Sequence, residues 1–175
     1  MARGRALSYG LQREAILQQA AALFAQHGYA SATMQQVAQA CGMSKPTLYH
    51  YFRDKDALLV ELTQSHVEHL LGIVDAVMAL ELAPRERVEQ LILRFVQAYA
   101  HAQHAHRVLT EDTRFLAPAD RERVLGCERR VVSAFAKAIA AYKPELSAQQ
   151  IVKPVTMLLF GMINWMFTWL QPDGA

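Results

Sequence analysis

Between residues 41 and 59 the chain reads CGMSKPTLYHYFRDKDALL, and few folds can accommodate that stretch. Gly42 marks a stop, Ser44 is a side-chain cap, and Pro46 falls in the first turn behind it, where a missing N–H costs nothing. The helix so begun puts Leu48, Tyr51 and Phe52 on one face by the three-to-four spacing. Lys45, Thr47, Tyr49 and His50 are left on the other. A helix wholly inside a core would reject Lys45 and His50, and one wholly in solvent would not carry three aromatic rings. The segment is therefore anchored by its apolar side and presents basic, hydroxyl and aromatic groups outward.

A second helix is predicted just upstream. Thr33 followed three residues later by Gln36 is a capping-box pattern; Val37 and Ala38 then face inward, with Cys41 near the end. Residues 9–27 read as a first helix with Ile16, Ala20, Leu23 and Phe24 on one face, and Gly28 stands where a left-handed cap is wanted. The second and third helices, joined by the tight Cys41-Gly42-Met43 connection, have the dimensions of a helix-turn-helix over residues 32–51. In such a unit the outer face of the later helix enters a DNA major groove. Lys45, Pro46, Thr47, Tyr49 and His50 would then form the contact surface, with Tyr49 and His50 on sugars and thymine methyls or donating to phosphate. Thr33, Ser44 and Lys55 would hold phosphates through hydroxyls, helix N-terminal amides and an ammonium.

Residues 33–59 resemble the TetR family of bacterial transcriptional repressors. The positions that carry the resemblance are Thr33, Val37, Ala38, Cys41, Gly42, Ser44, Pro46, Thr47, Leu48, Tyr49, Tyr51, Phe52, Lys55 and Leu58. It covers residues 10–60, and beyond them rests on length and helix order. Caps, breakers and periodicity along the chain read as an all-α protein of about nine helices, and the resemblance implies a three-helix DNA-binding domain at residues 1–55 and an effector-binding and dimerisation domain at 56–175. It further implies a homodimer on a palindromic double-stranded operator, a small-molecule effector, and repression as the usual outcome.

Charge agrees with a polyanion-binding head. Residues 1–55 hold six Lys/Arg against two acids, a net +4, while residues 56–175 hold twelve against fourteen, a net −2. Arg3 and Arg5 could reach an adjacent minor groove as a loose arm. No apolar run follows them, so no secretory signal is expected, and Cys41 and Cys127 have neither disulfide nor metal spacing. The most apolar stretch, residues 155–170, contains Thr156, Asn164 and Thr168. It also falls short of the ~20 residues that span a bilayer. A soluble cytoplasmic protein without cofactor is the expectation.

Further helices are predicted over residues 54–82, 85–105, 108–115, 120–142 and 147–170, the last kinked at Pro154. Val124, Val131, Phe135 and Ile139 on one helix, with Leu159, Ile163, Met166 and Phe167 on the almost wholly apolar last one, are expected at the dimer interface. Met78, Phe95, Tyr99, Phe115, Met157, Phe160, Asn164 and Trp165 blend aromatic, thioether and hydrogen-bonding groups in a way that suits a mostly apolar effector. The closing GMINWMFTWLQPDG resembles family members that respond to fatty acids or acyl-CoA thioesters. His101, His104 and His106 do not share one helical face, so no metal is expected there. The sequence holds no Gly-rich phosphate loop, nucleophile elbow or paired catalytic carboxylates, and enzyme function is not expected. A helical small-molecule-binding or adaptor protein with no DNA role is the alternative.

Overall fold

A computed structural model describes the backbone of residues 2–168 and the side chains of residues 9–166. The described residues are helical, without strands: α1 (Ala2–His27), α2 (Met34–Ala40), α3 (Lys45–Tyr49), α4 (Lys55–Met78), α5 (Pro84–His101), α6 (Gln103–Asp112), α7 (Pro118–Tyr142), α8 (Pro144–Ala148) and α9 (Val152–Asn164). Short 3₁₀ turns follow α6 at Thr113–Phe115 and α9 at Trp165–Thr168.

Packing divides the chain into two compact units, and not at residue 55. The first unit comprises the residues up to His66 together with His104–Arg121; the second comprises Val67–Gln103 and the residues from Glu122 onward. α4 thus contributes residues 55–66 to one and 67–78 to the other. In the first unit Ile16, Phe24, Val37, Leu48, Leu58 and Leu59 are all but inaccessible to solvent. α6 belongs here because Val108 and Leu109 are buried and His106 Nδ1 lies 3.4 Å from His66 Nε2. In the second unit the core is aromatic. Phe95 (α5), Phe135 (α7) and Phe160 (α9) meet edge to face at centroid separations of 4.8 to 6.3 Å, the preferred geometry for such rings.

The helix ends follow their local chemistry, with four departures from expectation. α1 begins at Ala2 rather than residue 9, so the backbone that carries Arg3 and Arg5 is helical and not a loose arm. Pro154 does not kink a long helix: it lies in the first turn of α9, where its missing N–H is one of the four that a helix start leaves unpaired anyway. The predicted single helix is instead split by Gln150, whose φ of +57° turns the chain after α8, while Ile151 N donates to Leu146 O at 2.9 Å. α5 ends at His101 rather than residue 105, although no glycine or proline stands there. The α4–α5 connection is closed by the Arg87 guanidinium, which donates to the carbonyls of Met78, Leu80 and Leu82 at 2.9 to 3.2 Å.

Candidate nucleic-acid interface

Two helix starts define the interface, and both are built as the local sequence demands. Thr33 accepts from Gln36 N at 3.2 Å while Gln36 Oε1 accepts from Thr33 N at 2.8 Å, a reciprocal capping box that opens α2. Thr33 Oγ1 also donates to Gln36 Oε1 at 2.9 Å. Ser44 Oγ accepts from Thr47 N at 3.2 Å and lies 2.7 Å from Thr47 Oγ1, opening α3. Between them Gly42 takes φ +64°, a region closed to most side chains. Its neighbour Met43 then donates back to Ala38 O at 3.0 Å, the Schellman closure that reverses the chain.

On this frame Leu48 is fully buried and Phe52 nearly so, while Tyr51 is half-buried and stacked on Tyr9 with centroids 4.8 Å apart. Ser44, Lys45, Pro46, Thr47, Tyr49 and His50 are exposed and contiguous, and Thr33 is exposed at the start of α2. The Lys45 ammonium stands 5.9 Å from the Tyr49 ring centroid. The structure therefore brings seven of the eight expected DNA-contact residues to the surface of one helix-turn-helix.

Lys55 is the exception, and it corrects the phosphate reading. Its Nζ donates to Tyr29 O at 2.8 Å, Ala32 O at 2.9 Å and Ala30 O at 3.3 Å. An ammonium has three donors, and all three are committed inward to the α1–α2 connection.

Sequence reasoning did not find the residues that hold α3 in position. Arg13 donates to Glu61 from Nε at 2.6 Å and to Tyr51 O from Nη1 at 2.7 Å, and its guanidinium stands 4.3 Å from the Phe52 ring centroid. The carboxylate of Glu61 holds the Arg13 pKa above its ordinary value. Tyr29, which follows the left-handed Gly28, donates its hydroxyl to Asp56 and packs 5.2 Å from Phe24 and Phe115. Burial above all, and Asp56 next, push the Tyr29 phenol upward in pKa. Arg13 and Glu61 lie 48 residues apart, Tyr29 and Asp56 27, and Tyr29 and Phe115 86, so no local spacing could reveal them.

The expected effector residues do not converge. Phe95, Tyr99 and Phe160 are buried together in the second unit, where burial and then Glu128 raise the Tyr99 phenol pKa. Asn164 is half-buried, with its Oδ1 inaccessible and without a hydrogen bond. Phe115 belongs to the first unit, where it is exposed beside Tyr29. Met157 and Trp165 lie on the open face of α9, and Met78 lines a separate groove between α4 and α7.

The expected dimer residues are corrected in the same way. Val124, Val131, Phe135, Ile139, Ile163 and Met166 are buried within the chain's own core, which leaves their side chains no surface to offer a partner. Leu159 is half-buried, and the Phe167 side chain lies outside the described residues, as do those of Arg3 and Arg5. The face of α9 left open is the opposite one: Met157, Leu158, Met162 and Trp165 are 51 to 69 % exposed and, with Pro154 and Gly161, line a shallow hollow of about 720 Å³.

The family model described as bacterial regulatory proteins, tetR family, matches residues 16–62, and that of a tetracyclin repressor-like C-terminal domain matches residues 81–175. The HTH-type transcriptional repressor KstR2 of Mycolicibacterium smegmatis is 28% identical over 101 residues, covering 58% of this chain and 49% of that protein. The chain thus spans about half the length of the curated relatives it matches. The crystal structure of a TetR-family transcriptional regulator from Bordetella parapertussis 12822 superimposes with a TM-score of 0.87 at 34% identity, covering 93% of this chain and 85% of the other. AibR in complex with isovaleryl coenzyme A and operator DNA shares the fold, with a TM-score of 0.77 at 22% identity over 94% of this chain and 90% of the other.

Proposed function

The chain belongs to the TetR family of bacterial regulatory proteins, and from that premise we propose that it is a ligand-responsive repressor of transcription. In this reading two copies bind a palindromic operator, and a small, largely apolar effector of the fatty-acyl or acyl-thioester kind releases them. The observation that carries it is the exposed surface of Ser44, Lys45, Pro46, Thr47, Tyr49 and His50, held outward by the buried Leu48 and Phe52.

A palindrome needs two such heads about one DNA turn apart, roughly 34–36 Å. The open face of α9 supports a second copy, because a contiguous apolar patch is rarely left to solvent. The aromatic interior of the second unit, and the isovaleryl coenzyme A bound to AibR, support an apolar or acylated effector. α4 supplies the link: residues 67–78 belong to the second unit, while residues 55–66 follow directly on the DNA-reading helices. A ligand that shifts the far end of α4 would change the separation of the two heads.

The test is fluorescence anisotropy of the full chain on duplexes from the DNA upstream of its own gene. Saturable binding that a scrambled duplex does not compete is the expected result. Thr47→Ala and Tyr49→Ala should each weaken it by about 1–3 kcal/mol and leave the thermal unfolding curve unchanged. Equal affinity for operator and scrambled duplexes would sink the reading.

A further inference from the structure

Between α4 and α7, wholly within the second unit, runs an open groove of about 520 Å³. On α4 its walls are Leu71, Val74, Asp75 and Met78, a single stripe by the three-to-four spacing. On α7 they are Gly126, Arg129, Arg130, Ser133, Ala134 and Lys137, again one stripe. Glycine, serine and alanine on the α7 side leave the space, and nothing but Arg129 would come within 4 Å of a Cβ added at Gly126. The floor is apolar, with Leu71 and Val74 buried and Met78 half-buried. The rim is cationic, with three positive side chains against one carboxylate.

We propose that this groove binds an acyl chain carrying an anionic head, with the chain along Leu71, Val74 and Met78 and the head on Arg129, Arg130 and Lys137. The volume lies within the range of small-molecule sites, and such sites combine apolar walls with a few orienting polar groups. Guanidinium pairs suit carboxylate and phosphate alike through forked hydrogen bonds. Neither arginine is locked away. Arg130 meets Asp75 across the groove at only 3.8 Å, with both side chains more than 60 % exposed, and Arg129 pairs with the equally exposed Glu122. An exposed pair of this kind is worth little, so an incoming anion can replace it. Occupancy would set a wedge against the residue 67–78 half of α4.

The inference rests on the effector reading above and names the chemistry and place of that effector. Isothermal titration of the full chain with dodecanoyl-CoA, dodecanoate, dodecyl phosphate and unacylated CoA tests it. At least one acylated or alkylated anion should bind, and unacylated CoA should not; which of them binds identifies the head as phosphate or carboxylate. Arg129→Gln with Arg130→Gln should weaken that binding about tenfold, and Asp75→Asn should strengthen it about two- to fivefold. Met78→Gln should weaken it by shortening the apolar floor. Binding unchanged in all variants, no binding by any probe, or equal binding of unacylated CoA would overturn the proposal. Operator release, measured on the same samples, separates the two readings. Release that survives the arginine changes sinks the groove alone, whereas groove binding without release sinks the effector role alone.

Discussion

At Lys55 a residue type and its position both suggest phosphate, and the geometry assigns it elsewhere. Its ammonium gathers the carbonyls of Tyr29, Ala30 and Ala32 and sits 4.4 Å from the Tyr29 ring centroid. Lys55→Met leaves these partly buried acceptors without a donor and should cost about 1–3 kcal/mol, read as a lower urea midpoint. A midpoint equal to wild type would refute the clamp. Glu128, half-buried on α7, behaves differently. Burial lifts its carboxyl pKa, and Arg129 draws it only part of the way back. The folded chain therefore holds that proton more tightly than the unfolded chain. Stability falls as pH rises from the usual carboxylate range, about 4.3, through the raised folded value, and the loss is complete above it. Glu128→Gln should accordingly raise the urea midpoint at pH 7, and the gain should fade as pH falls into that range. Parallel midpoints across the pH range would exclude the effect.

At the scale of elements, what could be read from sequence was what neighbours in the chain decide. The capping box of Thr33 and Gln36, the Ser44 cap and the Gly42 stop rest on residues within four positions of one another. They emerged as expected, and with them the inward Leu48 and the outward Lys45–Tyr49 helix. Gly42→Ala should destabilise the helix-turn-helix by about 1–2 kcal/mol, because the left-handed turn penalises a Cβ even where space is open. Thermal denaturation of the single variant checks this, and Ser44→Ala should add a loss of about 1 kcal/mol. The break between α8 and α9 was not legible, since a glutamine at φ +57° carries no compositional sign. Nor was the inner and outer face of α9: apolar residues stand on every side of it, and packing against Phe95 and Phe135 turns Phe160 inward, with Ile163 buried as well, while Leu158 and Met162 stay exposed.

For the whole molecule the same ambiguity bears on the proposed pairing of two copies. Most residues expected to meet a partner fill the chain's own interior, and Leu158, Met162 and Trp165 build an exposed apolar face. Leu158→Glu with Met162→Glu should convert a dimer to a monomer in sedimentation velocity while the thermal unfolding of the chain is preserved. A dimer that survives both changes would place the contact on another surface. The inward commitment of Lys55 reaches further than stability. Association with a duplex gains from counterion release, and log affinity declines by about 0.9 per decade of ionic strength for each phosphate neutralised. In the two-copy reading, Lys55 held inward in each copy removes two such neutralisations, and grip rests on Lys45, hydroxyls, backbone amides and ring edges. Such a head would lose less affinity as ionic strength rises than one whose residue 55 stood free, and would linger less on random DNA.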